Sequence, residues 1–108
     1  MTKSKGIRTD FTEFDERVGK AWSLHTSGQD SAAIQEFRRL VDEWQDHVDA
    51  NFGLALAYKT SGQHDKAREQ FQKTLACIES ELAKNVGGDT SRFQMLQRMV
   101  EQHLATLA

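Results

Sequence analysis

The chain's histidines, its one cysteine and its carboxylates are the residues able to do chemistry, so their spacing is the first question. His25, His47, His64 and His103 lie far apart in sequence. No two share the i, i+4 step that puts a pair of imidazoles on one helix face for zinc. There is no HExxH, no paired cysteine, no glycine-rich phosphate loop and no Gly-x-Ser-x-Gly elbow. No stoichiometric transition metal and no cofactor is therefore expected. Cys77 stands in "QFQKTLACIESEL", an amphipathic pattern that buries the thiol rather than presenting it as a nucleophile. The carboxylates are spread as helix caps and solvated faces, an arrangement without the paired geometry of acid–base catalysis. The expectation is a protein that is not an enzyme.

Composition narrows the remaining classes. At 108 residues there is room for one domain and one core. The net charge of −2 is mixed in sign along the chain, without the basic stripe that phosphate neutralisation requires, so no nucleic acid is expected. No apolar run reaches the roughly 18 residues of a membrane span, so no membrane is expected. The opening "MTKSKGIRTD" has Lys3, Lys5 and Arg8 but no apolar stretch behind them, which argues against a secretory signal and for the cytoplasm.

The elements that position these residues come in two copies. "TSGQ" occurs at Thr26 to Gln29 and again at Thr60 to Gln63, a spacing of thirty-four residues. Sliding the chain by that step superposes Asp15 on Asp49, Gly19 on Gly53, Ala21 on Ala55, Ala33 on Ala67 and Phe37 on Phe71. Each copy reads as an apolar-periodic helix, a break at Ser-Gly and a second apolar-periodic helix. In the first copy Phe11, Phe14, Val18, Trp22 and His25 make one stripe, and Asp10 with Glu13 forms a capping box. Asp30 caps the second helix, whose apolar face is Ala33, Ile34, Phe37, Leu40, Val41 and Trp44. In the second copy Asp46 or Asp49 is the cap, followed by Phe52, Leu56 and Tyr58, and then by Ala67, Phe71, Leu75 and Ile78 after Gly62.

These small, aromatic and glycine positions resemble the tetratricopeptide signature: Ala21, Leu24, Gly28, Ala33 and Phe37, then Leu54, Ala55, Tyr58, Gly62, Ala67 and Phe71. The resemblance covers roughly residues 14 to 80. It implies an all-α fold of TPR-like helical hairpins, an α-α superhelix with repeats at about 14–47 and 48–81. Arg17 and Asn51 depart from it, standing where the pattern takes Trp or Leu, and so does the absence of proline. Without that proline the fourth helix should run past Glu79 through Leu82 and Val86 to Gly87-Gly88. A final capping helix is expected at about 90–107, with Phe93, Leu96, Val100, His103 or Leu104, and Leu107 as its stripe and Met95 and Met99 beside it. The predicted helices are 11–27, 31–45, 49–61, 65–86 and 90–107. Residues 1–9 are expected to be a disordered arm, and 10–108 a single helical domain.

The resemblance also implies a concave surface lined by the first helix of each unit. The matching residues are Asp15, Val18, Gly19, Trp22 and His25, then Asp49, Phe52, Gly53, Leu56 and Lys59. Val18 and Trp22 stand where chaperone-tail clamps carry lysine and asparagine, so that role is not implied. The implied groove is apolar, floored by two glycines. Those glycines admit two readings: close approach of a partner, or relief of crowding within the hairpins. The expected function is a protein-interaction adaptor or scaffold binding a peptide or amphipathic helix, with a self-associating homodimer as the alternative.

Overall fold

The computed structural model describes residues 3–85 and 87–107, with side chains described from residue 13 onward. Among the described residues the chain is all-α, with helices α1 (Lys3–Thr26), α2 (Asp30–Glu43), α3 (Val48–Thr60), α4 (His64–Lys84) and α5 (Ser91–Leu107). Consecutive helices pack against each other, and α1 also meets α3. The two hairpins and the final helix form a slab 47 × 35 × 19 Å.

Both TSGQ segments fold into the same helix stop, for the same reason. Gly28 and Gly62 have φ of 83° and 84°, a left-handed conformation open to glycine because it has no Cβ. The Gly28 amide then donates to the His25 carbonyl (3.1 Å) and Gln29 to that of Leu24 (2.9 Å). Gly62 and Gln63 repeat this on Lys59 and Tyr58 (3.0 and 2.9 Å). The side chains repeat it too. Ser27 Oγ donates to the Leu24 carbonyl and accepts from Gln29 Nε2, while Ser61 does likewise with Tyr58 and Gln63.

The core runs through all five helices as a set of rings. Trp22 of α1 meets Phe37 of α2 edge-on at 5.4 Å and lies 6.2 Å from Phe52 of α3. Phe52 meets Phe71 of α4 at 6.2 Å, and Phe71 stacks on His103 of α5 at 4.8 Å with planes 6° apart. Phe37 and Phe71 are fully buried, together with Leu40, Ile78 and Val100. Helix α3 lies at the centre of this arrangement. Val48, Ala50, Phe52, Leu54, Ala55, Ala57 and Tyr58 are all buried, so its apolar surface is far wider than one stripe.

The two repeat-related glycines prove to be different. A Cβ on Gly53 would run into the ring of Phe37, so the bare backbone of α3 is the seat for that ring. A Cβ on Gly19 would meet nothing within 4 Å. The rest of each surface agrees. Ala50, Leu54 and Ala57 are buried, whereas their counterparts thirty-four residues earlier, Glu16, Lys20 and Ser23, are exposed. That side of α1 is therefore the solvated end of the array, a role that terminal units of repeat proteins require.

Arg17 and Asn51, the two departures from the repeat signature, make matching ties between paired helices. On α1 the exposed Arg17 forks onto Glu43 at the end of α2 with contacts of 2.8 and 2.7 Å. Asn51, 2% exposed, donates to the carbonyls of Gln45 and His47 and accepts from Gln70 of α4 at 2.6 Å. A charge pair stands where water solvates it and a neutral amide pair where burial would penalise charge.

Several expectations are corrected. Helix α1 starts at Lys3, inside the arm expected to be disordered over 1–9. No proline interrupts that stretch, and a formed helix extends by one hydrogen bond for each residue fixed. Asp10, expected at the start of the first helix, therefore lies within α1 rather than at its first turn. Asp30 is the first residue of α2 after Gln29, and no side chain caps that end. For α3 the cap is His47, whose Nδ1 accepts from the Ala50 amide at 3.1 Å, rather than Asp46 or Asp49. Helix α4 does run past Glu79, ending at Lys84 with Asn85 as its cap; Val86 lies outside the described residues. Helix α5 opens after Thr90, with the Asp89 carboxylate accepting from the Ser91 amide.

Replacing the two glycines by alanine should move stability in opposite directions. Gly19→Ala removes a helix penalty of about 0.5–1 kcal/mol and raises the melting temperature by a few degrees. Gly53→Ala drives a methyl into Phe37 and lowers it, because overpacking costs about 1–3 kcal/mol. Thermal melts that move the same way for both would contradict the seat.

Candidate functional site

Each helix of the predicted concave set delivers its residues to a different depth. Asp15 and Gly19 are exposed, Trp22 is half-buried, and Val18 is 7% exposed. His25 is half-buried with its ring edge against Trp22 at 5.9 Å. From the second unit, Phe52 is 6% exposed and Gly53 lies beneath Phe37, so both belong to the core rather than to an open groove. The cause is α5. His103 comes within 6.1 Å of the Phe52 ring, and Lys59 donates to His103 Nδ1 (2.9 Å) and to Thr106 Oγ1 (3.2 Å). Leu56 is half-buried beside them. Truncation of Phe52 thus belongs with core deletions of about 3–5 kcal/mol.

Helix α5 is held by charge at both ends. Near its start Arg92 reaches both oxygens of Asp49 at 2.6 and 2.7 Å. At its end Arg68 of α4 donates to the Leu107 carbonyl at 2.7 Å, a cation at the negative end of the helix dipole. Arg92, Met95, Met99, His103 and Thr106 follow three- and four-residue steps, so they share one edge of α5. Both ends of that edge touch α3, and Met95 and Met99 stand between them, 51% and 37% exposed.

A cleft of about 650 Å³ opens where α1, α3 and α5 converge. Asp15, Val18, Gly19 and Trp22 line it from α1, and Arg92 and Phe93 from α5. Trp44, Asp46 and His47 come from the turn after α2, Val48 and Asp49 from the start of α3, and Glu81 from α4. Five of the ten concave residues expected from the sequence meet here: Asp15, Val18, Gly19, Trp22 and Asp49. His25, Phe52, Gly53, Leu56 and Lys59 do not line it.

The cleft walls that repetition could not reveal come from the ends of elements. Trp44 closes the apolar face of α2, and its ring packs at 5.2 Å on Phe14 and 4.9 Å on His47. Glu81 is present because α4 continues beyond the repeat, which the missing proline signals. Arg92 and Phe93 arrive with α5, for which no third copy of the period exists.

Two histidines serve the fold in their neutral form. His47 Nδ1 accepts the cap hydrogen bond, and burial lowers its pKa against the opposing pull of Asp49 and Asp15. Burial, helped by the Lys59 ammonium, lowers that of His103. Cys77 is half-buried, its thiol directed at the Gln45 carbonyl (3.7 Å), and burial pushes its pKa up, away from the thiolate form. Among the described residues no group of three or more histidine, cysteine or carboxylate side chains forms that could hold a metal, and no helix is long and apolar enough to cross a membrane. No protein-family model, curated protein or solved structure matches the chain.

The sign of the pH dependence follows from the lowered values. The unfolded chain, with ordinary histidines near about 6.5, binds protons that the folded chain refuses, so this stability is complete above about pH 6.5 and is lost as acid is added below it. His47→Asn keeps a cap acceptor that does not titrate. Denaturant midpoints should fall less for this variant than for the parent between about pH 7.5 and about pH 5.5. Equal losses would contradict the capping role.

Proposed function

We propose that the chain is a protein-interaction module of tetratricopeptide type, an adaptor or scaffold rather than an enzyme, working in the cytoplasm. The observation that carries this reading is the cleft itself, in which Trp22, Trp44 and Phe93 keep solvent-accessible ring surface at the convergence of three helices. Aromatic side chains in such settings anchor partners, because they bury much area at small entropic cost. The second support is the repeat, whose two helix stops are alike, together with the one ring-on-glycine contact that joins the hairpins. In this reading Phe52, Leu56 and Lys59 hold α5 in place, and the partner binds beside α5 instead of over the whole inner face.

The second reading, a homodimer, draws on Met95 and Met99, an adjacent exposed pair on α5. Methionine adapts to irregular apolar surfaces, including those of a second copy.

A photo-crosslinker at position 19, on the cleft wall, should capture a partner protein in cell extract that the same group at position 73, on an exposed site of α4, does not. Capture from 73 alone would contradict the cleft. Sedimentation of the purified chain across a dilution series separates the two readings. A monomer at every concentration agrees with the adaptor, and a dimer that survives dilution replaces it.

A further inference from the structure

The cleft is charged in one sense, and its walls are aromatic. Asp15, Asp46, Asp49 and Glu81 face a single guanidinium, that of Arg92, so the cleft holds more negative charge than the chain's net −2. That negative charge is gathered in one concavity, where low-dielectric walls focus it. Arg92 displays the chemistry that such a place selects. Its guanidinium takes both oxygens of Asp49 while lying 5.7 Å from the Phe93 ring centroid. That uses one carboxylate of the four. Asp15 and Asp46 are exposed, and no ion pair is assigned to either among the described residues. Glu81 contacts Lys84 at 3.5 Å, the loosest of the ion pairs described.

Resting on the adaptor reading, we propose that the partner presents a basic segment to this cleft. A lysine or arginine of another protein enters between Asp15, Asp46 and Glu81, and its aliphatic stem lies along Trp22 and Trp44. Carboxylates supply steering and selectivity, and the indole faces supply cation–π and apolar contact. An acidic segment meets like charge at the same place and is rejected.

The chain's two tryptophans both line the cleft, so their fluorescence reports its occupancy. Three synthetic peptides are titrated: one bearing lysine and leucine, its Lys→Gln counterpart and its Lys→Glu counterpart. The lysine peptide should shift the emission at low salt, bind at least about tenfold more weakly as salt is raised, and outbind both counterparts. The triple variant Asp15→Asn, Asp46→Asn, Glu81→Gln should melt with the parent and lose about tenfold or more in affinity for it. Equal binding of the lysine and glutamine peptides, unchanged by the triple variant, would overturn the charge preference and leave the binding-face reading standing. Failure of all three peptides would overturn the proposal for this cleft, while crosslinking from position 19 judges the adaptor reading independently. A salt-sensitive dimer abolished by the triple variant would assign the cleft to the Lys3, Lys5 and Arg8 segment of a second copy, and would overturn a foreign partner.

Discussion

The ring of Phe37 seated on the bare backbone of Gly53 is the contact on which the rest of the molecule depends. It joins the second helix of one hairpin to the first helix of the next, at a point where any side chain on α3 would force the helices apart. Trp22 then closes on Phe37 from α1, and Phe52 on Trp22 from α3. The position of α1 relative to α3, and hence the width of the cleft, follows from that seat. A small chain has few such contacts to spare, since stability is a narrow difference between large opposing terms.

The far end is completed by a different device. With no third hairpin to cover Phe71 and Phe52, α5 brings His103 as a flat, polar-edged ring that stacks on Phe71, while its Nδ1 accepts from Lys59. An imidazole can finish an aromatic core and still face a polar surface. The same economy governs the first hairpin, whose outer helix face carries Glu16, Lys20 and Ser23 where the inner hairpin carries Ala50, Leu54 and Ala57. Each end of the stack is thus closed by polarity. Between the ends, Arg92 locks α5 to α3 through Asp49 and leaves the other cleft carboxylates facing outward.

Much of this was legible because the repeat carries it. The helical hairpins, the helix stops at Gly28 and Gly62, and the extension of α4 follow from local rules that act wherever the residues stand. The two glycines show where such rules end. Gly19 and Gly53 are equivalent in sequence and opposite in role, because only one has a hairpin before it to supply a ring. Phe52 misled for the same reason: its fate depends on α5, which lies outside the period. The caps at Asp10, Asp30 and Asp46 or Asp49 were misplaced because residue type favours a cap without fixing it. His47, rarely a first choice, holds the right place relative to the Ala50 amide. More than half of the cleft lining was invisible because Trp44, Glu81 and Arg92 come together only through the ends of three separate helices.

Native-state hydrogen exchange tests the central claim, that one ring on one glycine makes two hairpins a single cooperative body. The slowest amides of α1 and α2 should open with the same free energy as those of α3, because separating the hairpins unseats Phe37 and exposes the whole row of rings. If α1 and α2 instead exchange through a distinct opening of much lower free energy, with α3 to α5 still protected, then the seat does not couple the hairpins and the cleft between them has no fixed shape.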